Sequence, residues 1–478
     1  MNQNEEYVRS VIAQIMSKEQ GISSNIQTAA AAPVKKADDA DYLYDDMDEA
    51  VQAAKTAQQE LMKCTLKQRG EMIAAIRSKL TEHIEELARM EVEETGMGRF
   101  EDKILKYKLT IEKTPGIEDI QPEIITGDDG MTITEYRPFG VIGAIFPSTA
   151  PGCTPIHNVI CMIAAGNSIV ASPHPGGYKT TFATMKYITE AIREAGGPDH
   201  LIVSSREASM ENANKLMKNP DIKMLLATGG PGVVHAVLSS GKKAIGAGPG
   251  NPPVLVDETA DIPKAGKDII DGNSYENCIQ CIGEKECIVV DCVADLLISE
   301  MQQNGAYLLK NPADIEKLTK VVFTEGTRIN KKMVGKDAKY FLQAIGIPAG
   351  DEVRTIIFEA DRNHPIVMEE CLMPILPIVR VPDVDTGIAE AVRIEGGRRH
   401  SSIMHSRDVC NTTKYAKAIE TTILTKNGPS YAGSGLGGEG WCTMSIAGPT
   451  GEGVTRPRSF TRATRCCMVG ELNLRSAR

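Results

Sequence analysis

Near the start of the chain Val8, Val11, Ile12, Ile15 and Met16 fall on one stripe of a short helix, which Gly21 stops. Residues 22–40, with an alanine run, Pro33 and mixed charges, have no apolar period and read as a flexible linker. A helix over 1–21 is then either the first helix of the core or a docking peptide, and the linker favours docking into a partner's groove. From Asp48 onward helices dominate. Met72, Ile73, Ile76, Leu80, Ile84 and Leu87 repeat at helical spacing, Thr95, Gly96 and Gly98 mark a break, and a further helix runs toward Thr114 and Pro115. Residues 124–136 alternate around Asp128, Asp129 and Gly130, which predicts a hairpin of the kind that pairs with another subunit. Short β-rich runs at 141–146, 168–171, 201–203 and 224–227 alternate with helical patterns such as 179–195, a βαβ rhythm that implies a parallel sheet. The rhythm restarts with 254–257, so a second α/β lobe is expected from about Ala247 to about Met444. The tail at 459–469 is strand-like and is placed against the hairpin.

Composition narrows the function classes. With 478 residues, 42% of them hydrophobic, the chain can bury a large core in two or three lobes. The formal charge is −10 and the Lys and Arg residues are dispersed, so the basic stripe needed to hold nucleic acid is missing. No apolar run reaches the roughly 18 to 20 residues that span a bilayer, and the N-terminus lacks the apolar core of a signal peptide, so a cytoplasmic protein with no membrane partner is expected. Twelve cysteines in so long a chain are too sparse for a disulfide scaffold and are expected to be free thiols.

The segment N-C-I-Q-C-I-G-E-K at 277–285 is the candidate chemical centre, with Cys281 as its nucleophile. A thiol attacks only as thiolate, and a loop leading into a strand or helix can turn backbone N–H groups toward it and lower its pKa. Against this stands the ordinary fate of a free cysteine as a small buried hydrophobe. Cys278 and Cys281 also make a C-x-x-C pair, but Cys466 with Cys467 does not supply a second pair of ligands at zinc spacing, and no metal is expected. Three glycine-rich loops occur at 227–232, 246–250 and 435–440. None is a dinucleotide fingerprint, yet Thr228, Gly229 and Gly230 follow a strand and precede a helix, where backbone N–H groups can face a pyrophosphate.

E-T-G-M-G-R-F-E-D-K at 94–103, P-F-G-V-I-G-A-I-F-P-S-T at 138–149, A-A-G-N-S-I-V at 164–170, G-A-G-P-G-N-P-P-V-L-V-D at 246–257 and P-T-G-E-G-V-T at 449–455 together resemble the aldehyde dehydrogenase superfamily, and within it the coenzyme A-acylating enzymes of bacterial microcompartments. The resemblance implies an α/β fold, aldehyde dehydrogenase-like, with two Rossmann-like parallel-sheet lobes plus a β oligomerisation arm. In that scheme 1–21 is an encapsulation peptide and 22–40 a linker. Residues 41–117 and 138–246 are the dinucleotide-binding domain, 247–444 the catalytic cysteine domain, and 118–137 with 445–478 the arm of a homodimer or homotetramer.

The family's nucleophile falls on Cys281, its nicotinamide-ribose glutamate on Glu370, and its dinucleotide-facing turn on Thr228, Gly229 and Gly230. Pro147, Ser148 and Thr149 fall at the oxyanion hole, with Thr149 where hydrolytic relatives carry asparagine. The backbone N–H of Cys281 must then do more of that work, beside Thr149 as a candidate donor. Ser172, Pro173 and His174 fall where relatives hold the adenosine ribose with a lysine, which favours NAD over NADP. His400 matches a family histidine and is either structural or a proton carrier. Ala150 and Cys278 replace residues that are more often Asn in close relatives. One substitution separates subclasses: hydrolytic relatives open the segment before Pro253 with the Glu that activates water, and here Ala247 stands in its place. The resemblance therefore implies oxidation of acetaldehyde or propionaldehyde with NAD and coenzyme A, inside a microcompartment whose shell proteins hold the N-terminal helix. The competing readings are a hydrolytic aldehyde dehydrogenase and a non-catalytic scaffold.

Overall fold

The computed structural model describes residues 40–474. The helix expected over 1–21 and all but the last residue of the linker expected over 22–40 lie outside the described residues. Runs of Val, Ile, Leu and Ala with little alternation become strands buried on both faces, as parallel strands between helical layers must be. Val141–Phe146 is buried along its whole length. It lies near the middle of a six-stranded parallel sheet in the spatial order Leu43–Tyr44, Ile202–Ser205, Ser168–Pro173, Val141–Phe146, Ile222–Thr228, Lys243–Ala247. One face is covered by Met47–Leu61, a helix capped by Asp46, whose Met47, Ala50, Val51 and Ala54 pack on Val141, Val170, Val203 and Leu225. Cys153–Ala165, apolar nearly all round, is buried at every position. From Val141–Phe146 the chain builds outward on one side, then returns to build on the other with Ile222–Thr228. The carboxyl ends of these two strands are therefore where the connections diverge and leave a crevice.

The second lobe is a seven-stranded parallel sheet in the order Ala306–Leu308, Thr355–Glu359, Ile375–Val381, Glu286–Val290, Pro253–Val256, Ser401–His405, Ile423–Lys426. Helices Ile262–Ser274 and Asp291–Gln303 bury one face, and Val384–Glu395 with Val409–Ile419 bury the other. The fold is thus α/β with two Rossmann-like sheets. A separate antiparallel sheet joins the hairpin Glu123–Gly127 and Gly130–Pro138 to the tail Thr461–Val469, which pairs from Thr461 opposite Pro138 to Val469 opposite Gly130. Residues 446–447 do not join that sheet. They pair with 453–454, while Ser445 shares a 2.7 Å hydroxyl contact with Thr228 at the crevice.

One local expectation is corrected. The stripe from Met72 to Leu87 is two helices, Leu66–Glu82 and Ile84–Thr95, broken at His83, whose ring stacks on Tyr187 at 3.7 Å. The apolar period continues through the break because both helices turn the same face to the core. All twelve cysteines are free. Among the described residues no helix is long and apolar enough to cross a membrane.

Candidate active site

A cavity of about 710 Å³ lies between the carboxyl ends of the six-stranded sheet and the amino ends of the seven-stranded one. Pro147, Ser148 and Thr149 follow Val141–Phe146 into it. Ser172, Pro173 and His174 stand at the end of the adjacent strand, and Thr228, Gly229 and Gly230 follow the neighbour on the other side. Cys281, Glu370 and His400 face them from the second lobe, with Ala247 at the crossing between lobes. The assigned nucleophile, oxyanion, ribose and phosphate positions all line this one cavity, while Cys278 is buried behind it.

Its first wall suits a dinucleotide. Gly230 precedes Pro231–Leu238, a helix with proline in its first turn and no side-chain cap, so its leading N–H groups are left for another acceptor. Space around Gly230 and Gly232 is open, and backbone can approach a phosphate there without a side chain between them. Thr228 is fixed by Ser445, and the Gly229 N–H donates to the Ala247 carbonyl at 3.0 Å. The exposed Lys331 and Lys332, a basic pair to which the sequence reading gave no role, also line the cavity.

The opposite wall carries the thiol. Glu276, Asn277 and Cys278 hold consecutive φ angles of 52°, 53° and 59°, a left-handed run that L-residues rarely adopt. Surrounding contacts hold it in place. The Glu276 N–H donates to Asp102, Asn277 Nδ2 to the Gly335 carbonyl, and Lys285 Nζ to the carbonyls of Cys278 and Gln280 at 2.9 and 3.0 Å. The carboxylate of Glu276 enters a fully buried square of charges with Lys103, Lys106 and Glu91, to which Tyr107 also donates. Two lysines three apart in Phe100–Lys113 turn inward because two buried carboxylates meet them. The sequence reading assigned this square no role; a charged pair on the apolar stripe of that helix was its only signal.

The electrostatics of the thiol correct the expectation of a lowered pKa. Burial, followed by the charge of Glu370, pushes Cys281 up to about 12, although Lys285 and the N–H groups of Cys281 and Ile282 act in the other direction. Cys281 and Glu370 each keep part of their surface on the cavity, so water there moderates what the surrounding protein imposes. Burial likewise brings Glu370 up to about 7, opposed by Lys285 and by the Gly250 N–H, which donates to it at 3.0 Å. His400 is pushed down to about 3 by burial and then by Lys285, and is neutral. Its Nδ1 lies 2.8 Å from the Ser401 hydroxyl, and its Nε2 is buried without a partner. The arrangement sets a thiol, a carboxyl brought up to about 7 and a neutral imidazole on one wall, facing the uncapped start of Pro231–Leu238.

The chain is similar to known proteins over most of its length. The model of the aldehyde dehydrogenase family matches residues 16–445. Propanal dehydrogenase (CoA-propanoylating) of Salmonella typhimurium is 44% identical over 455 residues, covering 95% of this chain and 97% of that protein. The crystal structure of Rhodopseudomonas palustris propionaldehyde dehydrogenase, with bound CoA and an acylated cysteine, superposes with a TM-score of 0.90 at 49% identity, covering 91% of this chain and 100% of that one. A propionaldehyde dehydrogenase from the fucose utilisation microcompartment of Clostridium phytofermentans gives 0.89 at 49% identity, with the same coverage.

Proposed function

This chain belongs to the aldehyde dehydrogenase family, and from that premise we propose that Cys281 is its nucleophile and that the acyl group it carries passes to coenzyme A. The enzyme is a coenzyme A-acylating aldehyde dehydrogenase that oxidises a short aliphatic aldehyde, propionaldehyde or acetaldehyde, to acyl-CoA. The carrying observation is Ala247. It is buried in the cavity wall where a hydrolytic enzyme needs a carboxylate to activate water. Glu94, another acid of the cavity, is engaged by the Lys179 and Thr180 N–H groups.

The Cys281 thiol gives up its proton, for which Glu370 is the acceptor closest to balance at neutral pH, and the sulfur bonds to the aldehyde carbon. The carbonyl electrons move to oxygen, where the Cys281 N–H and the Thr149 hydroxyl are the assigned donors. The nicotinamide cofactor supplies the hydride acceptor that converts this adduct to a thioester. Thr228, Gly229 and Gly230 would hold its pyrophosphate, Ser172, Pro173 and His174 its adenosine ribose and Glu370 its nicotinamide ribose, with Pro147 and Ser148 beside it. NAD is assigned over NADP because no lysine stands at Ser172, Pro173 or His174. Coenzyme A then attacks the thioester and the Cys281 thiolate leaves. Neutral His400, whose buried Nε2 has no partner, is the candidate acceptor of the incoming thiol's proton.

The arm exposes Ile124, Ile125 and Val469, in keeping with an apolar edge that a second subunit covers in a homodimer or homotetramer. Residues 1–21 are assigned to shell docking and the enzyme to a microcompartment in the cytoplasm, a reading supported by the sequence stripe and the likeness to a microcompartment enzyme. Turnover of propionaldehyde with NAD, with and without coenzyme A, tests the function when products are read by mass spectrometry. Acyl-CoA is expected, and rapid release of free acid without coenzyme A overturns acyl transfer.

A further inference from the structure

Lys285 has a burial that nothing in its own segment explains. Its side chain is all but inaccessible, yet among the described residues no carboxylate comes within ion-pair distance of the ammonium. Its acceptors are the Cys278 carbonyl at 2.9 Å, the Gln280 carbonyl at 3.0 Å and the Cys278 sulfur at 3.1 Å. Two belong to the left-handed turn and the third to the residue immediately before Cys281. A lysine that merely filled space would be replaced without loss by an apolar chain, because burying an ammonium against neutral acceptors opposes folding.

We propose that Lys285 is the positioning residue of the nucleophile loop, its ammonium clamping the Cys278 and Gln280 carbonyls and presenting an uncompensated positive charge that favours the thiolate of Cys281. The proposal rests on the reading of Cys281 as nucleophile. The charges around the ammonium are consistent with it. Burial works against the ammonium, but Cys278 and Glu370 hold it above its usual range, so it stays charged. From the elements packed around it, Glu370 and Cys371 face it from the loop after Pro365–Met368, His400 from the start of Ser401–His405, and Glu284 and Glu286 from its own segment. Glu284 is satisfied by Ser430, and Glu286, buried without partners, is held well above the carboxylate range and neutral, so neither cancels the lysine. Glu370 is the one acid that opposes it at the thiol.

The test reads the thiol directly. Full-length wild type, Lys285→Met and Lys285→Gln are alkylated with iodoacetamide across a pH series, and modification of the Cys281 peptide is timed by mass spectrometry. Both variants should shift the alkylation curve upward by about one pH unit, about tenfold slower at a fixed pH below the midpoint, with NADH binding retained. Lys285→Gln keeps an N–H for the carbonyls, so a shift in it reports the charge and not the clamp. A wild-type curve in either folded variant overturns the proposal. If instead Cys281→Ala still made NADH, the nucleophile reading would fall while the alkylation result stood by itself.

Discussion

The Glu370 carboxylate accepts the Gly250 N–H at 3.0 Å, and through that one glycine the acid, the thiol segment and the imidazole are held in register. A Cβ on Gly250 would stand 2.7 Å from the Cys281 carbonyl and 2.8 Å from the His400 ring, too close for either.

Gly250→Ala should therefore displace Cys281 without touching the turn at Thr228, Gly229 and Gly230. Its kcat is expected to fall about a hundredfold, the order associated with an ångström-scale misplacement. Dinucleotide affinity, followed by NADH fluorescence, should stay near wild type. Unchanged kcat would mean that the loop relaxes freely around the added methyl group.

Cys281→Ala should abolish NADH formation and leave cofactor binding intact, because the thiol bonds to the substrate and does not hold the dinucleotide. Cys278→Ala should keep most activity, since Lys285 retains its two carbonyl acceptors when the Cys278 sulfur is lost. Steady-state assays of the two variants decide which thiol reacts, and exchanged outcomes would move the nucleophile by three residues.

Without coenzyme A, about one NADH per active site should form and then nearly stop, the burst of a stalled thioester. Rapid-quench measurement of NADH and of acylated protein checks this, and added coenzyme A should restart turnover. His400→Ala should slow the restart more than the burst. Ala247→Glu should raise free-acid release, provided its carboxylate reaches a water beside the thioester.

Glu284 is fully buried, takes two hydrogen bonds from Ser430 and is brought up to about 7, chiefly by burial. Its folded pKa lies above its unfolded one, so its contribution to stability is fully present below the ordinary carboxylate range and is lost as pH rises through about 7. Glu284→Gln, which can keep both contacts with Ser430, should match wild type near pH 5 and exceed it by a few degrees in Tm near pH 8. Parallel thermal melts at the two pH values check the sign.

Deleting residues 1–21 should leave the kinetics nearly unchanged and abolish co-purification with shell proteins. A large fall in Tm on deletion would instead place those residues in the core.

Periodicity alone made much of the fold legible. Val141–Phe146 emerges with the expected bounds, and the hairpin around Asp128, Asp129 and Gly130 and its pairing with the tail are seen as expected. His83 was not legible as a break, because the apolar spacing runs straight through it and only its stacking on Tyr187 marks the place. The candidate site was legible as residue types through the cysteine loop and the Thr228 turn, whereas the missing acid at Ala247 came only from the family resemblance.

The sequence by itself determined the elements, their alternation and the positions able to carry chemistry, because side-chain period and turn chemistry are local properties. Only the tertiary structure brought 147–149, 172–174, 228–230, 281, 370 and 400 to one cavity, by setting the carboxyl ends of one sheet against the amino ends of another. It alone turned Lys285 from one charge among many into a buried ammonium against the Cys278 and Gln280 carbonyls, and reversed the expected direction of the Cys281 pKa. Both follow from desolvation, which depends on atoms contributed by distant segments and leaves no trace in the local pattern.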